Sequence, residues 1–293
     1  MNGTLSAFYG IKRNIGLKQK KQKGQPRPFV ASQKRKVKMT TLPSTTLIAQ
    51  KYWRHILLLS IVLGPLAIVL SQQPFGQDLK YHDFADRRLY LNIPNFFDVF
   101  SNLPFVFVGV AGVRFCLRNH FGGTRVAWFA LFAGMALVSI GSSYYHWNPN
   151  NETLVWDRLP MTIGFMGLFV ALLSEYVSVR LCKVLLVPAL LLGFSSVLYW
   201  HWFDDLRFYA WILMVPLLTI PAVVVLFRCR YSGQGLLLGA LGCYVLAKIS
   251  EFYDREVFVL THSLISGHSL KHILAALGGF AILWMLSDRR VLE

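Results

Sequence analysis

Apolar residues run along this chain in long unbroken blocks separated by short polar joints. From Tyr52 onward the blocks fall at roughly 53–71, 96–115, 124–146, 158–177, 182–200, 208–227, 235–253 and 267–286. Each is close to the twenty residues that a helix needs to cross the hydrocarbon of a bilayer. Their length and the lack of period-2 alternation argue for helices over barrel strands. No internal repeat is visible. The pattern predicts an all-α integral membrane protein: an N-terminal transmembrane anchor over 51–71, an outer loop over 72–95 and a seven-helix core over 96–287.

Composition agrees, with 55% hydrophobic and 15% charged residues, and charge adds a direction. Residues 1–50 carry eleven Lys or Arg and no Asp or Glu, supplying most of the net charge of +16. A basic tail can bind nucleic acid, but one followed at once by a membrane span reads as a disordered cytoplasmic tail leaning on anionic lipid. Nucleic acid is therefore not an expected partner. An acid-free basic start also fits an organellar presequence, or initiation at Met39. Lys and Arg collect on the tail's side of the spans, and only Lys80, Arg87, Arg88, Arg158, Arg207 and Arg255 fall on the other. Both termini are thus expected to be cytoplasmic. The first span carries Pro65 and a basic flank like a signal sequence, yet no small-x-small cleavage site follows, so a retained anchor is expected. Four cysteines, Cys116, Cys182, Cys229 and Cys243, make no disulfide framework.

The candidate chemistry lies at span ends. His268 and His272 are four apart and share one helix face at the start of the last span. A third imidazole, His146, ends an earlier span, and Asp157 follows eleven residues later where the next begins. Ser142 sits one turn before His146 on the same face. The parity of the spans puts all of these near the outer or lumenal face. Ionisable groups are costly in lipid and tend to mark function. Three His nitrogens with an exchangeable water form a catalytic zinc arrangement. Asp157 would handle the water's proton, and Ser142 would donate to a developing oxyanion. The implied reaction is hydrolysis of an amide or ester. Of the remaining polar residues, His82 and His201 read as outer-loop histidines, His262 as a loop residue, and Glu251 and Asp254 as structural. Lys271 lies between the two histidines, off their common line, and can reach a headgroup or a carboxylate such as Glu251. Trp147, Trp156, Trp200 and Trp202 read as an interfacial aromatic belt.

Ser142-x-x-x-His146, Asp157 and His268-x-x-x-His272 together resemble the motif set of the CREST superfamily of seven-helix membrane hydrolases. The eleven-residue gap and the Ser101-Asn102 pair are most similar to the alkaline ceramidases, over about residues 80–286. The resemblance implies a zinc-dependent amidase, a hydrolase of linear amide C–N bonds. It would cleave ceramide or a related membrane lipid to a sphingoid base and a fatty acid, with His146, His268 and His272 on zinc. Such an enzyme sits in a bacterial inner membrane or in the ER or Golgi. The family also holds calcium in the loop before its first core span, and Asp83, Phe84, Asp86 and Asn95 match ligand positions. Asn95 stands where animal members have glutamate, and Arg88 replaces a neutral ligand; fewer carboxylates and a nearby cation disfavour a hard dication. The other reading of Asp83, Asp86, Arg87 and Arg88 is an ionic loop. Two rival functions also follow from the pattern: a metal-containing receptor of the adiponectin-receptor type, and a transporter or proton relay. The tail lacks a helical apolar period for the first, and the chain lacks repeated halves for the second.

Overall fold

The computed structural model describes residues 45–292; Met39 and nearly all of the basic tail lie outside them. A helix α1, Thr45–Ser71, leads through a 3-10 turn at Leu79–His82 into α2, Phe96–Phe100, and α3, Leu103–Arg118. There follow α4, Arg125–Trp147, α5, Asn151–Tyr176, α6, Arg180–Phe203, and α7, Arg207–Leu226. The chain closes with α8, Gln234–Phe252, a short α9, Asp254–Leu260, and α10, Gly267–Asp288. Among the described residues eight segments, with α2 and α3 counted as one, are long and apolar enough to cross a membrane. The chain reads accordingly as a multi-pass membrane protein.

Packing follows chain order around a ring. Helix α3 lies on α4, α4 on α5, α5 on α6 and α7, α7 on α8, α8 on α10, and α10 returns to α3. Helix α1 packs on α7 and leaves most of its surface exposed. Among the described residues polar tethers join them at both ends of the contact, the Trp211 indole donating to the Val62 carbonyl at 2.8 Å and the Arg207 guanidinium to the Leu70 carbonyl at 3.3 Å. In lipid there is little hydrophobic gain from bringing two apolar helices together, so small residues that allow close backbone approach decide where they touch. Gly141 is such a residue on α4, since a Cβ there would meet the Trp156 carbonyl oxygen of α5 at 2.0 Å. At the far end of α5, Glu175 gathers the Trp128 indole at 2.8 Å and the Arg289 guanidinium at 2.7 Å. The four cysteines are free thiols.

Several boundaries differ from those expected. Helix α5 starts at Asn151 instead of near 158, because Asn150 accepts from the Thr153 amide at 3.0 Å while the Thr153 hydroxyl accepts from the Asn150 amide. Asp157 is therefore buried two turns inside the helix, not at its mouth. The span expected as 96–115 is broken after Phe100, where Ser101 and Asn102 turn their side chains back onto the Asp98 carbonyl. His201 belongs to α6, not to a loop. Trp200 is buried, whereas Trp147, Trp156 and Trp202 are exposed as a belt requires.

Candidate active site

The three imidazoles meet in the interior. His146 comes from the last turn of α4, and His268 and His272 from the first turns of α10. All three are buried, and one nitrogen from each lies within 4.8 Å of the others. His146 Nε2 and His268 Nε2 are 3.3 Å apart, and the ring centroids stand 4.7 to 5.0 Å from one another. Nitrogens converging at this range in a buried place suit a shared cation. The donor set, three neutral imidazoles, is one that divalent ions of intermediate softness accept. These residues fit the expected metal.

Neighbours hold the ring of His272 and the backbone of His146 and His268. Ser101 Oγ donates to the Asp98 carbonyl at 3.0 Å and lies 2.7 Å from His272 Nδ1. With its hydrogen committed, that oxygen accepts from Nδ1–H, which leaves the Nε2 lone pair of His272 for the centre. The His268 backbone amide donates to Asp254 Oδ1 at 2.7 Å, and the Ala85 amide donates to Asp254 Oδ2 at 2.8 Å. Gly267 permits this approach, for a Cβ there would strike the Ser250 carbonyl at 2.0 Å. At the start of α10, Ser266 and Ser269 donate to Asp98 Oδ1 at 3.1 and 2.6 Å. Asn95, in the left-handed region that asparagine tolerates, donates to the His146 carbonyl at 2.9 Å. Phe84 lies over His146 and His268, its ring 4.7 and 4.6 Å from theirs.

Ser142 and Asp157 line a cavity of about 420 Å³ that also reaches His272, Lys271 and Arg158. The Ser142 hydroxyl interacts with the Asp157 carboxylate. Away from these groups the wall is apolar, with Leu131, Met135, Phe165 and Leu213. The volume falls in the range of ordinary ligand sites, and an apolar wall with a few convergent polar groups is their usual make-up.

The remaining candidates are placed as follows. Lys271 Nζ is 2.9 Å from Glu251 Oε1, the contact expected, and also 2.9 Å from His268 Nε2, three positions back and so a neighbour on the helix surface. Glu251 further takes Lys248 and the Tyr81 hydroxyl. Burial pushes the Tyr81 phenol well above its ordinary range, so it acts as a hydrogen-bond donor at neutral pH. His82 lies 2.8 Å from the Tyr145 hydroxyl and 3.0 Å from Asn151 Oδ1, while His262 sits in an exposed turn.

The proposed calcium positions are occupied by the chain's own cations. Asp83 pairs with Arg87 and Arg255, and the fully buried Asp86 takes a fork from Arg88 at 2.8 and 2.5 Å. The Phe84 carbonyl accepts from Arg87 at 3.3 Å, and Asn95 is turned to His146. A hard dication needs free oxygen ligands and excess negative charge. As arranged, Asp83, Phe84, Asp86 and Asn95 do not fit one.

Sequence reasoning gave no role to Asp98, Ser266 and Ser269, nor to Arg158, which lies beside Asp157 with its guanidinium over the ring of the buried Trp200. The ceramidase family model matches residues 90–235, a stretch that includes Ser142, His146 and Asp157. No curated protein matches the chain.

Proposed function

The chain belongs to the ceramidase family, and from that premise we propose that it hydrolyses the amide bond of ceramide or a related sphingolipid to a sphingoid base and a fatty acid. The observation that carries this reading is the buried three-histidine cluster, one member of which, His272, lines the cavity that holds Ser142 and Asp157. In this proposal the metal is zinc, held by His146, His268 and His272. When bound, it supplies Lewis acidity that makes water a nucleophile near neutral pH.

The chain's own residues do the rest. The Asp157 carboxylate accepts a proton from the attacking water. As the C–O bond forms, the Ser142 hydroxyl donates to the amide carbonyl oxygen and stabilises its growing charge. Asp157 then passes its proton to the amide nitrogen, the C–N bond breaks, and the amine leaves as the sphingoid base. For His268 Nε2 to serve as a ligand, Lys271 withdraws from it and keeps its contact with Glu251, which already holds the ammonium at 2.9 Å. The acyl chains occupy the apolar part of the cavity. In the same reading seven helices form the catalytic core with α1 as an added anchor. Both termini are cytoplasmic, and the site faces the outer or lumenal side.

Purified protein in detergent tests the proposal through sphingoid-base release from ceramide and zinc content on the same sample. The expected result is about one zinc per chain, with turnover lost in Asp157→Ala and both zinc and turnover lost in His268→Ala. Full activity in a zinc-free His268→Ala protein would sink it.

A further inference from the structure

Arg158 is an oddity in this cavity. It is 6% exposed, in the first half of a membrane-spanning helix, and a guanidinium cannot shed its charge to escape burial. Its Nη2 donates to Gln77 Oε1, a neutral partner. Its central carbon lies 4.0 Å from the ring centroid of Trp200 and 4.7 Å from that of Tyr209. Aromatic faces soften a buried cation but do not neutralise it. Nη1 is buried and has no acceptor among the described residues.

No carboxylate among the described residues forms an ion pair with this guanidinium. Asp157 follows a different direction around the helix and meets Ser142. Glu251 is taken by Lys248 and Lys271. The charged groups lining the cavity are Arg158, Lys248 and Lys271 against Asp157 and Glu251, so cations are in excess even without a metal. A neutral amide offers nothing that balances this. A fork with an open Nη1 beside the reacting groups matches the two oxygens of a phosphate or carboxylate.

We propose that Arg158 forms an oxyanion-binding subsite for the lipid, one helix position from Asp157, which takes an anionic phosphate or carboxylate group. This rests on the amidase reading for the identity of the lipid, though not for the binding itself. Two sources supply such a group: an anionic substituent near the amide of the substrate, or the carboxylate that hydrolysis releases.

The test is binding, read apart from turnover. Dodecyl phosphate, laurate and dodecanol are titrated into metal-loaded full-length protein in neutral detergent, by calorimetry and by thermal shift. The expected result is at least about tenfold tighter binding of one or both anions than of dodecanol. That preference falls away in Arg158→Gln and is partly kept in Arg158→Lys. Equal binding of all three by the wild-type protein overturns the proposal without recourse to any variant. A preference fully retained in Arg158→Gln also overturns it, since the anion then sits elsewhere, on the metal for instance. Preference for dodecyl phosphate, with faster hydrolysis of a phosphorylated than of a plain ceramide, assigns the subsite to the substrate; preference for laurate alone assigns it to the product. Anion preference without any ceramide turnover keeps Arg158 and rejects the amidase. Turnover without anion preference does the reverse.

Discussion

Replacing Gly141 by alanine probes how far catalysis depends on the contact between α4 and α5. Gly141 adjoins Ser142 and faces the peptide that links Trp156 to Asp157. A methyl carbon there would lie 2.0 Å from the Trp156 carbonyl oxygen and 2.8 Å from its carbon. A relaxed carbon-to-oxygen contact is about 3.3 Å, so the helices must part by more than roughly 1 Å. Two effects oppose each other: alanine in a helix gains about 0.5 to 1 kcal/mol over glycine, whereas forced overpacking loses about 1 to 3 kcal/mol. The overpacking wins because the obstacle is backbone, which cannot swing aside. The movement separates Ser142 from Asp157, and a misplacement of about 1 Å can lower turnover roughly 100-fold. Gly141→Ala is expected to lose about that factor in kcat and to melt at lower temperature while retaining zinc. Gly239→Ala on α8, where a Cβ meets nothing within 4 Å, serves as the control and should keep activity and melt no lower than the wild type. Wild-type kcat/KM and melting temperature in Gly141→Ala would refute the reasoning.

Other perturbations follow from the same geometry. Ser101→Ala removes the acceptor of His272 Nδ1–H, and competition with a zinc chelator should show about 10- to 100-fold weaker metal affinity with the three ligands intact. Arg88→Met strands the fully buried Asp86 carboxylate; because Arg88 itself is 42% exposed, the loss is set at about 1 to 2 kcal/mol rather than the larger figure for a fully buried pair, read as a lower melting temperature. Activity should be insensitive to a calcium-selective chelator at constant zinc, and a calcium-dependent rate would contradict the pairing of Asp83 and Asp86 with arginines. The Arg207 guanidinium, hydrogen-bonded to Asp205 between α6 and α7, holds that carboxyl below the usual carboxylate range. A depressed folded pKa gives stability above the unfolded value near 3.9 and loses it as pH falls. The melting-temperature gap between the wild type and Asp205→Asn should therefore be present at pH 6 and shrink below about pH 4.

The eight apolar segments were legible because length and hydropathy are what the bilayer selects. The histidines were legible because a spacing of four places two side chains on one helix face whatever surrounds them. Ends were harder. The first turns of α5 read as a polar joint, since Asn151, Glu152 and Thr153 carry no apolar pattern, and only the Asn150–Thr153 capping box marks the start. The break after Phe100 depends on hydroxyl and amide groups competing with the helix, which hydropathy does not see. Trp200 was placed in the aromatic belt because sequence gives depth along the membrane normal but not the direction around the helix. That direction depends on which neighbours crowd in, here Arg158 and Tyr209. Lys271 and His268, three positions apart, lie about 60 degrees apart on the helix and can touch, and the long lysine stem settles that it meets both this imidazole and Glu251.

The segment from Phe84 to Asp98 has a part in the site that its lack of metal ligands conceals. It touches the supports of all three histidines: Asn95 holds the carbonyl of His146, Ala85 shares Asp254 with the amide of His268, and Asp98 binds the serines on either side of His268 while its carbonyl takes Ser101, the partner of His272. Phe84 covers two of the rings. Within this segment Asp86 and Arg88 form the internal ion pair, so the chain's own guanidinium does what a bound cation would do in a carboxylate-rich loop: it pulls the strand of backbone into one shape. A defect there is expected to reach the metal without touching an imidazole. Arg88→Met should accordingly weaken zinc affinity as well as stability, measured by chelator competition at a temperature where the variant is folded. A variant that melts lower but binds zinc as tightly as wild type would show that the loop braces the fold and leaves the histidines to α4 and α10 alone.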